Sequence, residues 1–234
     1  MKKKVFMLFF SMLALSDIVQ AQHHRDQLSF GIGPSFLYGN NTGYYSKLRI
    51  KLLPAYTLAY SYDHTRHWDF RASVGYQQFD GDGNTGNPSK KWIAENQAYD
   101  AKGQIYYMDL MPVYQFNPKN YLNKKQSISY YAGMGLGLMH VQREVKVAEI
   151  VPAVEGQRET WRPVIEDQQT TAIYFPVRIG LSTNWQKLWD LGLEGSALVA
   201  SSNNLDGNTT NSKIIKPDVL FQFQVVLKRN ISIN

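Results

Sequence analysis

Apolar residues recur at every second position along most of this chain, and the positions between them carry Gly, Ser or charges. Residues 127–138 show the pattern most plainly. Ile128, Tyr130, Ala132, Met134, Leu136 and Leu138 share one face, while Ser127, Ser129, Tyr131, Gly133, Gly135 and Gly137 share the other. This is the two-residue period of a β-strand. One face is greasy and the other is small and wet.

Seven further segments repeat the alternation. Their apolar faces read Leu28, Phe30, Ile32, Phe36, Tyr38; Ile50, Leu52, Tyr56, Leu58, Tyr60, Tyr62; Trp68, Phe70, Ala72, Val74, Tyr76; and Tyr106, Met108, Leu110, Tyr114, Phe116. After residues 127–138 come Ile173, Phe175, Val177, Ile179, Leu181; Trp189, Leu191, Leu193, Ala197, Val199; and Val219, Phe221, Phe223, Val225, Leu227. None of these positions is charged. Eight strands are about the smallest number that closes a membrane barrel, and an uncharged face on every strand suits lipid rather than a water-covered sheet. The pattern therefore predicts an all-β chain: an eight-stranded antiparallel up-and-down β-barrel that crosses a membrane. Pro34, Pro54, Pro112 and Pro176 fall within these strands and are expected at bulges or bends, because proline has no donor for the ladder.

The connections alternate in length. Those near 63–67, 117–126 and 183–188 are short, and those near 39–48, 80–103, 143–169 and 201–215 are long. In membrane barrels the short turns are periplasmic and the long loops external, which places both termini on the periplasmic side. Tyr62, Trp68, Phe116, Tyr130 and Trp189 then form an aromatic girdle at the periplasmic rim, and Tyr38, Tyr76 and Tyr106 one at the outer rim. Within the long 143–169 connection, Val145, Val147, Ile150 and Val151 are placed to extend two strands beyond the membrane as a protruding ribbon.

Targeting agrees with this location. Met1–Lys4 carries three lysines, Val5–Leu15 is an apolar run too short to span a bilayer, and Ala21 supplies a small residue at the cut. Residues 1–21 read as a secretory signal peptide, and 22–234 as a single outer-membrane barrel domain. Half of each strand must be polar, so a mean hydropathy of -0.36 is compatible with a membrane location. Cysteine is absent, which excludes disulfides and thiolate metal sites. Of the formal charge of +6, three lysines and one aspartate lie in the signal. The remainder is spread out and gives no nucleic-acid footprint.

The inward positions collect Arg49, Lys51, Arg71, Arg178 and Lys228 against Asp69, Asp109, Asp190, Glu194 and Asp218. These signs balance, and in a narrow interior such groups must pair or stay hydrated, so they are expected to form a charge network that plugs the lumen. Arg178 and Glu194 flank a short turn at similar distance and are expected to meet across that hairpin. Other candidate chemistry is thin. Asp80, Asp82 and Asn84 resemble the start of a calcium loop, but Thr85 stands where the turn glycine belongs and Lys91 where the bidentate Glu belongs. His23 and His24 are tail residues. His140 has no adjacent serine, and no Ser, His and acid set converges by strand parity. No catalytic residues, cofactor or metal site is expected.

With these segments, and the Gly-rich stretch Tyr130–Gly137, the chain resembles the small outer-membrane β-barrel families of the OmpX and PorT type. The resemblance implies a cell-envelope location in a Gram-negative bacterium, contact with outer-membrane lipid and the barrel assembly machinery, and an extracellular or periplasmic partner of unknown identity. It also implies roles in surface adhesion, defence, narrow transport or envelope assembly. The chain departs from the family habit at its end, Ile231-Ser-Ile-Asn234, which lacks the aromatic residue read by that machinery. Three functions follow: a non-enzymatic barrel with a closed, charge-plugged lumen and interacting external loops; a narrow porin-like channel for small solutes; or a soluble lipocalin-like binder with its apolar face turned inward.

Overall fold

A computed structural model of the chain describes residues 25–40, 51–81, 93–117, 128–151, 160–183, 188–209 and 215–232. The signal peptide, His23, His24, Arg49, Asp82, Asn84, Thr85 and Lys91 lie outside them. The strands are β1 (Arg25–Tyr38), β2 (Leu53–Asp63), β3 (Trp68–Asp80), β4 (Ala98–Gln115), β5 (Ile128–Met134), β6 (Leu136–Val151), β7 (Thr160–Thr183), β8 (Trp189–Ala200) and β9 (Val219–Ser232). Each pairs antiparallel with its neighbours, and β1 closes on β9 from Arg25↔Ser232 to Tyr38↔Val219. Because β5 and β6 share one place between β4 and β7, the ring has eight positions. The architecture is the eight-stranded up-and-down barrel that the alternation predicts.

The interruption between β5 and β6 has a chemical cause. Register is conserved across it, from Val113↔Gly133 to Leu110↔Leu136 on one side and from Met134↔Val177 to Gly137↔Tyr174 on the other. At the gap stand Pro112 and Pro176, neither of which can donate to the ladder. Gly135 still donates its N–H to the Pro176 carbonyl at 3.1 Å. Pro34 and Pro54 face one another, and the β1–β9 pairing lapses at Gly33 and Pro34 and resumes unshifted at Ser35↔Gln222. These prolines do not sit at bulges, as the sequence suggested. Their missing donors are grouped in space, so register survives.

The outward face carries an apolar belt. Leu110 is 68% exposed and Met134 67%, and Phe30, Leu58, Phe70, Leu138, Phe175, Leu193 and Phe223 stand exposed around the rest of the ring. A patch of this extent cannot face water on a monomer. Along β4 it runs from Tyr106 to Tyr114 and on to Phe116 just past the strand's end, about the 9–11 residues that a tilted strand needs to cross a bilayer. This arrangement is the reverse of the inward-facing apolar wall that the lipocalin-like reading requires.

Beyond the belt the polarity inverts. On β4, Gln104 and Lys102 point outward while Ile105 and Ala101 are buried; on β6, Gln142 and Glu144 point outward while Val141, Val145 and Val147 are buried. There, water replaces lipid outside, so the apolar side chains move to the inside. Leu37, Phe79, Met139, Leu198, Leu205 and Leu220 join them in one core. The expectation of a small, wet inner face is thus corrected for the outer half of the barrel, which is packed like a soluble protein. The ribbon predicted from Val145, Val147, Ile150 and Val151 is present, with β6 and β7 paired out to Val151↔Thr160.

Candidate functional site

The polar interior lies toward the short-turn end. Arg178 on β7 donates to Asp109 on β4 at 2.5 Å and, more loosely, to Glu194 on β8 at 3.4 Å. Glu194 accepts in turn from Arg71 on β3 at 2.5 Å and from the Tyr131 hydroxyl at 2.8 Å. Asp109 also accepts from the Tyr174 hydroxyl at 2.6 Å. All four charged side chains are buried, so each depends on its partners for stabilisation. Arg178 and Glu194 do meet across their hairpin, but diagonally, because Glu194 pairs with Gly180 and Arg178 with Ser196. The tighter contact of each is with another strand: Arg178 reaches Asp109 past the intervening β6, and Glu194 reaches Arg71 across the lumen. Since β3 and β8 stand on opposite walls of the ring, the Arg71–Glu194 pair spans it.

The remaining sequence candidates divide. Asp69 accepts from the Gln115 amide at 2.7 Å, Asp190 faces Lys228 in register, and the Lys228 ammonium lies 3.9 Å from the centre of the Tyr131 ring. Gln27, Ser29, Gln115 and Lys228 help line a polar pocket of about 10 Å³ here, room for about one water. Lys51 does not belong to this network. It stands on the outer surface above the belt, paired with Asp80 at 2.5 Å and partly exposed. Asp218 is buried at the opposite end of the barrel, where its carboxylate accepts from the Leu205 N–H at 2.6 Å. Arg49 lies outside the described residues. Strand parity and register alone could not separate these levels.

Above the charged tier the lumen is crossed again by neutral groups. The Gln222 amide donates to Gln77 at 2.9 Å, and the Tyr107 hydroxyl is hydrogen-bonded to Thr57 at 2.7 Å and to Gln222. The outer mouth is closed by residues 201–209, which the sequence placed in an external loop. They fold inward instead, burying Leu205, Asp206 and Asn208. Arg143 donates to the Leu205 carbonyl and to Thr170, and Asn208 donates to the Ala98 carbonyl. Burial pushes the Arg143 pKa down, and the carboxylates of Asp206 and Asp218 oppose that shift. Gly207 turns the loop at φ +79°, with a β-carbon there falling 2.6 Å from Val145 Cγ1. The Leu-Asp-Gly-Asn run was the available signal, since an inward-pointing leucine beside a tight turn suits a plug as well as a surface loop.

The aromatic residues singled out from the sequence all point outward. Trp68 packs edge-on against Tyr114 at 5.1 Å, and Arg229 lies 5.5 Å from the Trp189 ring. Tyr62, Phe116 and Tyr130 share their short-turn end, while Tyr38, Tyr76 and Tyr106 stand at the other, the last two 5.4 Å apart. His140 is bonded through Nδ1 to Thr171 Oγ1 at 2.9 Å. Among the described residues no group of three or more His, Cys, Asp or Glu is placed to hold a metal ion.

No family model and no curated protein matches the chain. Solved structures do. Neisserial surface protein A is 12% identical, with a TM-score of 0.50 over 91% of this chain and 100% of that one. The fold is that of the small outer-membrane β-barrels. The attachment invasion locus protein Ail of Yersinia pestis, solved with the heparin analogue sucrose octasulfate, is 13% identical over 90% of this chain and 100% of its own, with a TM-score of 0.48. The outer membrane protease OmpT of Escherichia coli is 8% identical over 92% and 100%, with a TM-score of 0.47. With its uncharged belt, this chain is embedded in outer-membrane lipid through the barrel wall.

Proposed function

We propose that the chain is a non-enzymatic outer-membrane barrel whose lumen is closed to solutes and whose external parts serve surface interaction or envelope maintenance. Closure at successive levels carries this reading. The Asp109–Arg178–Glu194–Arg71 chain crosses the interior, the Gln77, Tyr107 and Gln222 bonds cross it above, and the Leu205 plug covers an apolar core at the mouth. An ion must shed its hydration shell to pass such a path. His140 is bonded to a threonine and has no carboxylate partner among the described residues, which supports a non-catalytic role. The barrel assembly machinery and an extracellular or periplasmic protein are the partners this reading calls for.

Planar-bilayer recording tests it. The wild type should show little steady conductance, and Glu194→Ala, which strands Arg71 and loosens Arg178, should show more or lose stability. A large wild-type conductance unchanged by Glu194→Ala would overturn the closed lumen and establish a small-solute channel.

A further inference from the structure

The outward wall of β3, β4, β6 and β7 is layered in register. Above the belt residues Val74, Met108, Leu138 and Ile173 comes Tyr76↔Tyr106↔His140↔Thr171. The next row is Gln78↔Gln104↔Gln142↔Gln169, and the one above it is Asp80↔Lys102↔Glu144↔Asp167. The wall is thus apolar, then aromatic and hydroxylic, then wholly amide, then charged. Only strands that continue past the belt can carry the upper rows, and β1 and β8 end at Tyr38 and Ala200.

We propose that the tyrosine and glutamine rows bind the sugar headgroup of an outer-leaflet glycolipid whose chains lie against the belt below. Continuity identifies the occupant: a ligand on this wall just above lipid-facing Met108 and Leu138 is the headgroup layer of that same lipid. The chemistry selects sugar. Both the Tyr76 and Tyr106 hydroxyls donate to the Gln104 amide oxygen, at 3.2 and 3.1 Å, so among the described residues Gln104 keeps its NH₂ as a donor to offer a ligand. Gln78 donates to Tyr76 at 2.9 Å, which keeps the row ordered. Amides and tyrosine edges together suit a ring with several hydroxyls. An anionic headgroup is disfavoured, because the nearby cations are engaged: Lys102 with Glu144 at 2.8 Å, Lys146 with Asp100 at 2.8 Å, and Lys51 with Asp80. These residues line a groove of about 350 Å³ directly above the amide row, space for a headgroup larger than one ring.

Native mass spectrometry of the detergent-purified barrel, offered equal amounts of digalactosyl diacylglycerol and phosphatidylglycerol, tests this independently of whether the lumen conducts. The wild type should retain the galactolipid in preference. Gln104→Leu/Gln142→Leu should reduce that preference about tenfold, as expected for two lost hydrogen bonds. Should that double variant fail to give a folded, heat-modifiable band, Gln104→Ala/Gln142→Ala is measured instead with the same expectation. No wild-type preference, a preference for phosphatidylglycerol, or a preference unchanged in the folded variant would each overturn the proposal.

Discussion

Tyr107 lies over Gly75: a β-carbon on Gly75 would fall 2.5 Å from ring atom Cε2, with the phenol carbon and oxygen closer still. Tyr131 sits against Gly180 and Tyr174 against Gly137 in the same way. These three inward glycines are therefore seats for rings rather than a wet lining. Gly75→Val should destabilise the barrel by about 1–3 kcal/mol, the usual penalty for overpacking. Urea unfolding in detergent micelles would measure it, and Tyr107→Leu in the same chain should recover part of the loss.

Leu136 and Gly135 are neighbours on opposite faces, and both resist substitution for different reasons. Leu136→Arg puts a charge into lipid and should cost about 2–4 kcal/mol. Gly135→Ser should also be costly, because a β-carbon there meets the Leu110 carbonyl and lies 2.6 Å from Met111 Cβ. Refolding into bilayers of increasing thickness separates them: the arginine penalty should grow with thickness while the serine penalty stays constant.

The Arg71–Glu194 pair ties opposite walls of the ring. Glu194→Ala leaves Arg71 buried without its carboxylate, and a loss of about 3–5 kcal/mol is expected. Arg71→Met with Glu194→Leu should be less damaging than Glu194→Ala alone, since Arg178 retains Asp109. Equal losses in the single and double variants, read from urea midpoints, would show that the pair is not coupled.

The inward fold of residues 201–209 depends on Arg143. Arg143→Met removes its bonds to Leu205, Thr170 and Gln168 together, and Gly207→Val strains the turn against Val145. Both variants should be cut within 201–209 by protease added from outside, under conditions where the wild type survives. Resistance in both would show that packing of Leu205 alone retains the plug.

Several of these relationships were within reach of the sequence and some were not. The inversion of the apolar face on β6 is written in the chain as a change of parity, from Leu136 and Leu138 to Val141, Val145 and Val147. A reading tuned to a single lipid-facing parity passes over it. Arg178 and Glu194 could be placed near one another because a hairpin fixes local register. Asp109 and Arg71 could not be assigned as their closer partners, since one contact reaches past β6 from β7 to β4 and the other crosses the lumen from β8 to β3, between strands that no single hairpin joins. Lys51 and Asp218 share the inward-charge pattern but lie above the membrane and beneath the plug, levels set by barrel shear rather than by period.

By itself the sequence determined the class of fold, the number of strands and most of the residues of the lipid-facing belt, although Val219, assigned to that face, is buried. A two-residue period leaves each side chain only two directions, and the bilayer requires one of them to be uncharged. Tertiary structure alone decided how the interior is filled. Ring closure brings β3 opposite β8, seats tyrosines on glycines from neighbouring strands and turns residues 201–209 inward. The cross-lumen contacts depend on distances that strand number and stagger jointly set, and the tyrosine seats on the register between paired strands, neither of which any local pattern in the chain records.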